Sequence, residues 1–394
     1  MLPFSPLPRD PQSSVLESEL FGWRDSAGAT VVDPTAPVAP LVDGSPEASG
    51  MLAARITRAA SKQTYYTIRC LVDRDRVDDA YRAYAYFRWV DDNLDLALSD
   101  YGDRRAFLDR QQSLLARCLP GDGTGAPDVW PAAGPSDSHS PTAMPSAGPT
   151  VRPSATEELM LVHLLGGKRP AAGHDRGLND RGVNDHARSD HAANEHGGLR
   201  SYVRNMMGVM EFDVGRRGRL VSEADLRVYE RLLATAVTEA LHHFIGYGRP
   251  APRDESRYQA ARGAHIAHLL RDSHDDVATG YYNVPNELLS DYGIGPGDFV
   301  RKPYRDWVRT RVAEARECFA AGRDYLLSVE SKRCRLAGHC YIARFEGVLD
   351  AVEADGYVLR PDYSDVKRRC AAAQAGWAAL CAAASAVGPR RSRP

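Results

Sequence analysis

The chain has 394 residues, 26 % of them charged, with a formal net charge of −2. This length supports a sizeable core in one large domain or two ordinary ones, and the near-neutral balance excludes the basic excess of a nucleic-acid-binding protein. Seven cysteines, scattered without C-x-x-C or Cys/His ligand spacing, exclude a disulfide scaffold and point to reduced thiols in a cytoplasmic setting.

The opening stretch MLPFSPLPRDPQSS is proline-rich and lacks the basic-then-apolar layout of a signal peptide, so secretion is not expected. Residues 1–50 carry no sustained apolar periodicity and read as a mobile tail. A single catalytic domain is expected over 51–365, broken by low-complexity insertions at about 119–154 and 168–198. Its first helix opens at Met51 and runs to a joint at 73–75, and the next ends near Ser99. A third covers 104–118 and a short one 156–165.

In the second insertion Asp175, Asp180, Asp185, Asp190 and Glu195 fall five apart, as do His186, His191 and His196. A His/Asp tract is a metal-binding composition, but a period of five collects no ligands on one face, so a solvated loop is expected. Downstream, helices are expected at 199–214, 222–245, 255–279, 304–329 and 337–355. Ser222 with Asp225 reads as an N-cap, and Gly246 and Gly356 as stops. No alternating strand pattern occurs, so the fold class is all-α. Residues 366–394 are expected to form a C-terminal helix and basic tail. The stretch 370–388 has about the length of a membrane span, but it is mostly alanine with Gln374 inside, which favours peripheral membrane contact.

Function concentrates in two stretches. In YRAYAYFRWVDDNLD, residues Tyr81, Tyr84, Arg88, Asp91 and Asp95 recur at steps of three and four, so two phenols, a guanidinium and two carboxylates share one helix face. Phe87, Val90, Leu94 and Leu98 form an apolar face on the same helix, so the polar stripe must meet either water or a cavity. The second stretch, HIAHLLRDSHDDVATGYYNVP, places His265, His268, Asp272 and Asp276 at steps of three, four and four, with Asp275 beside them. Two such stripes, facing each other, repel unless hard cations lie between them, and Mg²⁺ held by few carboxylates usually serves a phosphorylated substrate. Arg88 and Arg271 stand ready for the same anion. Loss of an allylic diphosphate would leave a carbocation, which needs a dry chamber with π-faces; Tyr65, Tyr66, Tyr81, Tyr84 and Tyr229 offer those faces.

At these residues the chain resembles the squalene/phytoene synthase family, from about 56 to 357. SKQTYY, starting at Ser61, is similar to the family's S-K-S-F-Y opening. RWVDDNLD from Arg88 fits its first acidic motif, LRDSHDD from Leu270 fits L-R-D-x-x-E-D, and Gly280 to Pro285 stands where the family has G-R-x-Y-x-P. The resemblance implies an all-α isoprenoid-synthase bundle with Mg²⁺ on Asp91, Asp95, Asp272 and Asp276, Asp92 and Asp275 lying in the same motifs. Ser61, Lys62 and Arg88 then fall at diphosphate-contacting positions. In the family, two prenyl diphosphates join through a cyclopropyl intermediate, with or without reduction by NADPH, and Tyr229 matches a tyrosine that assists proton transfer.

The departures lie in the cavity wall. Thr235 and Thr238 replace two family glycines, which narrows the cavity. His265 and His268 stand for glutamine and asparagine and can act as a base or hold water. Tyr281 and Asn283 replace an arginine and a tyrosine, with Arg301 or Lys302 available to restore the lost charge. The leading expectation is Mg²⁺-dependent head-to-head condensation of two farnesyl-type diphosphates, with geranylgeranyl diphosphate as the longer candidate and NADPH use left open. A terpene synthase or prenyltransferase acting on one diphosphate is the alternative. A non-catalytic assembly or interaction protein of the same fold is the second.

Overall fold

A computed structural model of the chain describes residues 45–97, 100–119, 156–166 and 185–366, without the side chains of 96–97 and 185–196. Most of the expected tail, the first insertion beyond residue 119, residues 168–184 of the second and residues 367–394 lie outside the described residues, as does Leu98.

Among the described residues there is no strand, only one isolated bridge between Val221 and Pro285, and the fold is all-α. Helix α1 (Pro46–Ala60) starts on the Ser45 cap, five residues earlier than the sequence suggests. It ends at Ser61, whose side chain caps α2 (Lys62–Leu71) instead of letting one helix run through. A short turn leads into α3 (Val77–Asp92), which unwinds into a π-type turn over Asn93–Ala97. Next come α4 (Tyr101–Cys118) and α5 (Thr156–Gly166).

Helix α6 (Asp185–Arg216) begins fourteen residues before the expected 199. Its first turns belong to the segment read above as a solvated loop. The five-residue echo carries no proline there, so every backbone amide of residues 185–198 is available to the helix. The rest follows as α7 (Glu223–Phe244), α8 (Gln259–Thr279), α9 (Asn286–Tyr292), α10 (Lys302–Ser328) and α11 (Lys332–Ala354). The Ser222–Asp225 pair at the start of α7 is a full capping box, worth about 1 kcal/mol.

The bundle has two halves. In one, α3 packs against α1 and α5; in the other, α8 packs against α7, α10 and α11. Helix α6 lies along α7 and also touches α3 and α4, so it joins the two halves. Phe87 and Val90 of α3 are fully buried, each contributing roughly 1.5–3 kcal/mol. Tyr81, Tyr84, Arg88 and Asp91 on its other face are buried too, so that stripe points into the bundle, not to water. Close approach of α8 and α10 depends on Gly322, where a Cβ would stand 2.9 Å from the Ala260 backbone. At the junction of α7, α8 and α10, Glu230 and Glu314 are clamped by Arg227, Arg262 and Arg311.

Candidate active site

The first stripe reaches the interior in an orderly series. Tyr65 and Tyr81 stack at 5.3 Å, and the Tyr81 hydroxyl donates to the Tyr65 carbonyl oxygen at 3.2 Å. Asp91 is 5 % exposed. One turn away, Arg88 grips Asp92 with both ends of its guanidinium, at 3.0 and 2.6 Å, so Asp92 is neutralised within its own helix. Asp95 leaves α3 in the π-type turn and accepts a hydrogen bond from the Tyr281 hydroxyl at 2.9 Å. Burial, with Asp213 adding to it, pushes the Asp95 carboxyl up to about 6 despite the Tyr281 bond and the nearby Arg217 and Arg88.

The second stripe sits on α8. Asp272 is 7 % exposed; burial alone would raise its pKa, but Arg271, bonded to both oxygens, and His268, 2.5 Å from Oδ2, hold it well below the ordinary carboxylate range. For Asp276, burial and the charge of Asp272 prevail over Arg216, His268 and a 2.5 Å bond from Asn283, and its carboxyl rises to about 7.

What links the stripes is a group that sequence reasoning missed. Arg216, at the end of α6 and 2 % exposed, donates from Nε to Asp213 at 2.7 Å and from one terminal nitrogen to the Asn283 side-chain oxygen at 2.7 Å. Its guanidinium stands 4.7 Å from the Tyr229 ring and 5.0 Å from the Tyr281 ring. Tyr229, fully buried, donates its hydroxyl to the other oxygen of Asp213 at 3.2 Å and meets His265 edge-on at 5.0 Å. Tyr229, Asp213, Arg216, Asn283 and Asp276 therefore form one polar chain from α7 by way of the end of α6 to α8, and Tyr281, on the Arg216 guanidinium, carries it on to Asp95. The signal was present: Asp213 and Arg216 are three apart on the face that carries Met206 and Met210. Ending the helix at 214 concealed it.

Several expected site residues fall elsewhere. Tyr66, assigned to the cavity, is 46 % exposed and packs on Tyr65 from outside at 5.3 Å. Asp275, assigned to the metal, is exposed on the outer side of α8. In both cases a neighbour one residue away faces inward, and a step of about 100° turns the next side chain out. Ser61 accepts from the Thr64 amide at 3.1 Å as a helix cap, and Lys62 is exposed. Thr238 is buried and Thr235 half-buried. Lys302 pairs with Asp306 at 2.5 Å on the surface, so it does not replace the arginine missing at 281; Arg216 and Arg217 lie there instead.

Of the four carboxylates expected to hold Mg²⁺, Asp95 and Asp276 have a raised affinity for protons, and a cation beside either would relieve that cost. As they stand, among the described residues no three His, Cys, Asp or Glu side chains converge closely enough to hold an ion.

With this geometry in place, the comparisons can be read. The squalene/phytoene synthase profile matches residues 57–370, most of the chain. The chain belongs to the squalene/phytoene synthase family. Members of that family act on prenyl diphosphates. Among solved structures, this squalene/phytoene synthase relative is similar to the squalene synthase HpnC from Alicyclobacillus acidocaldarius, at 18 % identity and a TM-score of 0.53, over 79 % of this chain and 95 % of that one. It is also similar to a dehydrosqualene synthase in complex with ligand, at 13 % identity and a TM-score of 0.53, over 84 % and 98 %. At those identities the likeness speaks for the fold. No curated protein matches it in sequence. Among the described residues, no helix is long and apolar enough to cross a membrane.

Proposed function

We propose that the chain is an Mg²⁺-dependent prenyl diphosphate enzyme whose leading reaction is head-to-head condensation of two farnesyl-type diphosphates. The observation that carries this reading is that the segment after α8 ties the two acidic stripes together, Tyr281 bonding to Asp95 of the first and Asn283 to Asp276 of the second. Magnesium held by Asp91, Asp95, Asp272 and Asp276 would neutralise the diphosphate and make it a better leaving group. The chain's own cations, Arg88, Arg216, Arg217 and Arg271, surround the same region and suit an anionic substrate. Tyr229 is sealed from water, and its hydroxyl, bonded to Asp213, is suited to hold or pass a proton beside a cationic intermediate. His268 acts through Asp272, whose orientation it fixes.

The test is incubation with farnesyl and geranylgeranyl diphosphates and Mg²⁺, with and without NADPH, followed by product mass analysis. A doubled hydrocarbon supports condensation, and its appearance only with NADPH assigns the reductant. The reading on a single diphosphate draws support from buried Thr238 and from Arg216 and Tyr281 occupying the centre; a monomer-sized cyclic or transferred product would favour it. No diphosphate release with any substrate would favour a non-catalytic role.

A further inference from the structure

Tyr281 stands where the resemblance leads one to expect arginine, and its contacts are specific. The segment it belongs to is fixed at both ends. Gly280 closes α8 in a left-handed turn at φ 88°, accepts from the Gly218 amide at 2.7 Å, and lets the Tyr281 amide return to the Asp276 carbonyl oxygen at 2.7 Å. At the other end the Asn286 amide donates to the Val221 carbonyl oxygen at 2.8 Å. Between these anchors the side chains diverge: Tyr281 crosses to Asp95 Oδ1 on the first acidic helix, while Asn283 turns back to Asp276 and accepts from Arg216. Arg217 adds a 3.5 Å contact to the Asp95 carbonyl oxygen from the same side.

The phenol thus donates to one of the two carboxylate oxygens that the proposed metal centre would draw on, and the ring is held against the Arg216 guanidinium. We propose that Tyr281 is a positioning residue that sets the threshold for cation uptake: its hydroxyl competes with a cation for the Asp95 carboxylate, and full ligation requires the 280–285 segment to let that carboxylate go. Arginine at this position would present a second positive charge to a diphosphate. Tyrosine instead brings an uncharged phenol whose charge-assisted hydrogen bond to Asp95 must be broken, so loading costs more in this chain and the released phenol is left beside the bound anion. The inference rests on the metal reading above and goes beyond it by naming what the cation displaces.

Calorimetric titration of Mg²⁺, with inorganic diphosphate present, into the full chain and into Tyr281→Phe tests it. The phenylalanine keeps the ring on Arg216 and removes only the hydroxyl. The variant should bind the ion more tightly by about tenfold, the factor that corresponds to one charge-assisted hydrogen bond no longer opposing uptake. Equal or weaker binding by a folded variant overturns the proposal while leaving the metal reading intact; absence of binding in both chains overturns both. A second measurement needs no variant: amide hydrogen exchange across 280–285 in the native chain should rise on adding MgCl₂ and diphosphate, and unchanged or increased protection counts against Tyr281 release.

Discussion

Replacing Asp276 by asparagine should make the metal-free protein more stable at alkaline pH. The Asp276 carboxyl, ordinarily near 3.8, is pushed up to about 7 in the fold by burial and by the charge of Asp272. Its contribution therefore favours the folded state fully below the lower value and is lost as pH rises through about 7. A shift of about three units corresponds to about 4 kcal/mol at most. Relaxation and water entry lower such costs, leaving on the order of 2 kcal/mol as the expected gain from Asp276→Asn, or a few degrees in Tm. Unfolding should be followed by circular dichroism without divalent ions, from about pH 5 to about pH 8, in native and variant chains. The gap should be smaller at the acid end, widen as pH rises towards about 7 and level off above it. Adding Mg²⁺ should close the gap by stabilising the native chain alone. A variant that is no more stable than the native chain at the alkaline end would refute the electrostatic account of this site.

Asp91→Asn should fold normally and lose diphosphate release, read by a coupled diphosphate assay; unchanged turnover removes Asp91 from the mechanism. Tyr229→Phe keeps the ring stack on Phe212 at 4.6 Å but deletes the bond to Asp213, so urea unfolding should show a loss of about 1 kcal/mol, and no loss would mean that the bond is idle. Gly322→Ala forces a methyl against the Ala260 backbone and should cost about 1–3 kcal/mol by the same assay; a neutral result would show that the α8–α10 crossing can open.

Both acidic helices were legible because a carboxylate every three or four residues is a one-dimensional pattern that a helix turns into a shared face. The first-stripe residues Tyr81, Tyr84, Arg88 and Asp91 are all buried on α3 as that spacing requires. The cap at Ser222 was readable for the same reason: its partner is three residues away. Tyr66 and Asp275 were drawn in by adjacency within a motif, although adjacency on a helix means different faces. Helix α9 escaped notice because seven residues are too few to display a period. The bond from Tyr281 to Asp95 joins residues 186 positions apart, and no local pattern encodes it. Departures at 281 and 283 registered in the sequence only as missing family residues; that they grip the acids instead is a tertiary fact.

The two acidic stripes are tied together by a six-residue connector in which Val284 is fully buried as an anchor while the side chains of 281 and 283 bond to Asp95 and Asp276. Evolution can therefore retune the chemistry of such a bundle by exchanging two connector side chains, without disturbing helix packing. A change of comparable effect on α3 or α8 would have to be absorbed by the surrounding core. Divergent catalytic behaviour on an unchanged scaffold is then the expected outcome of drift at this connector, and it is the first place to engineer a new product.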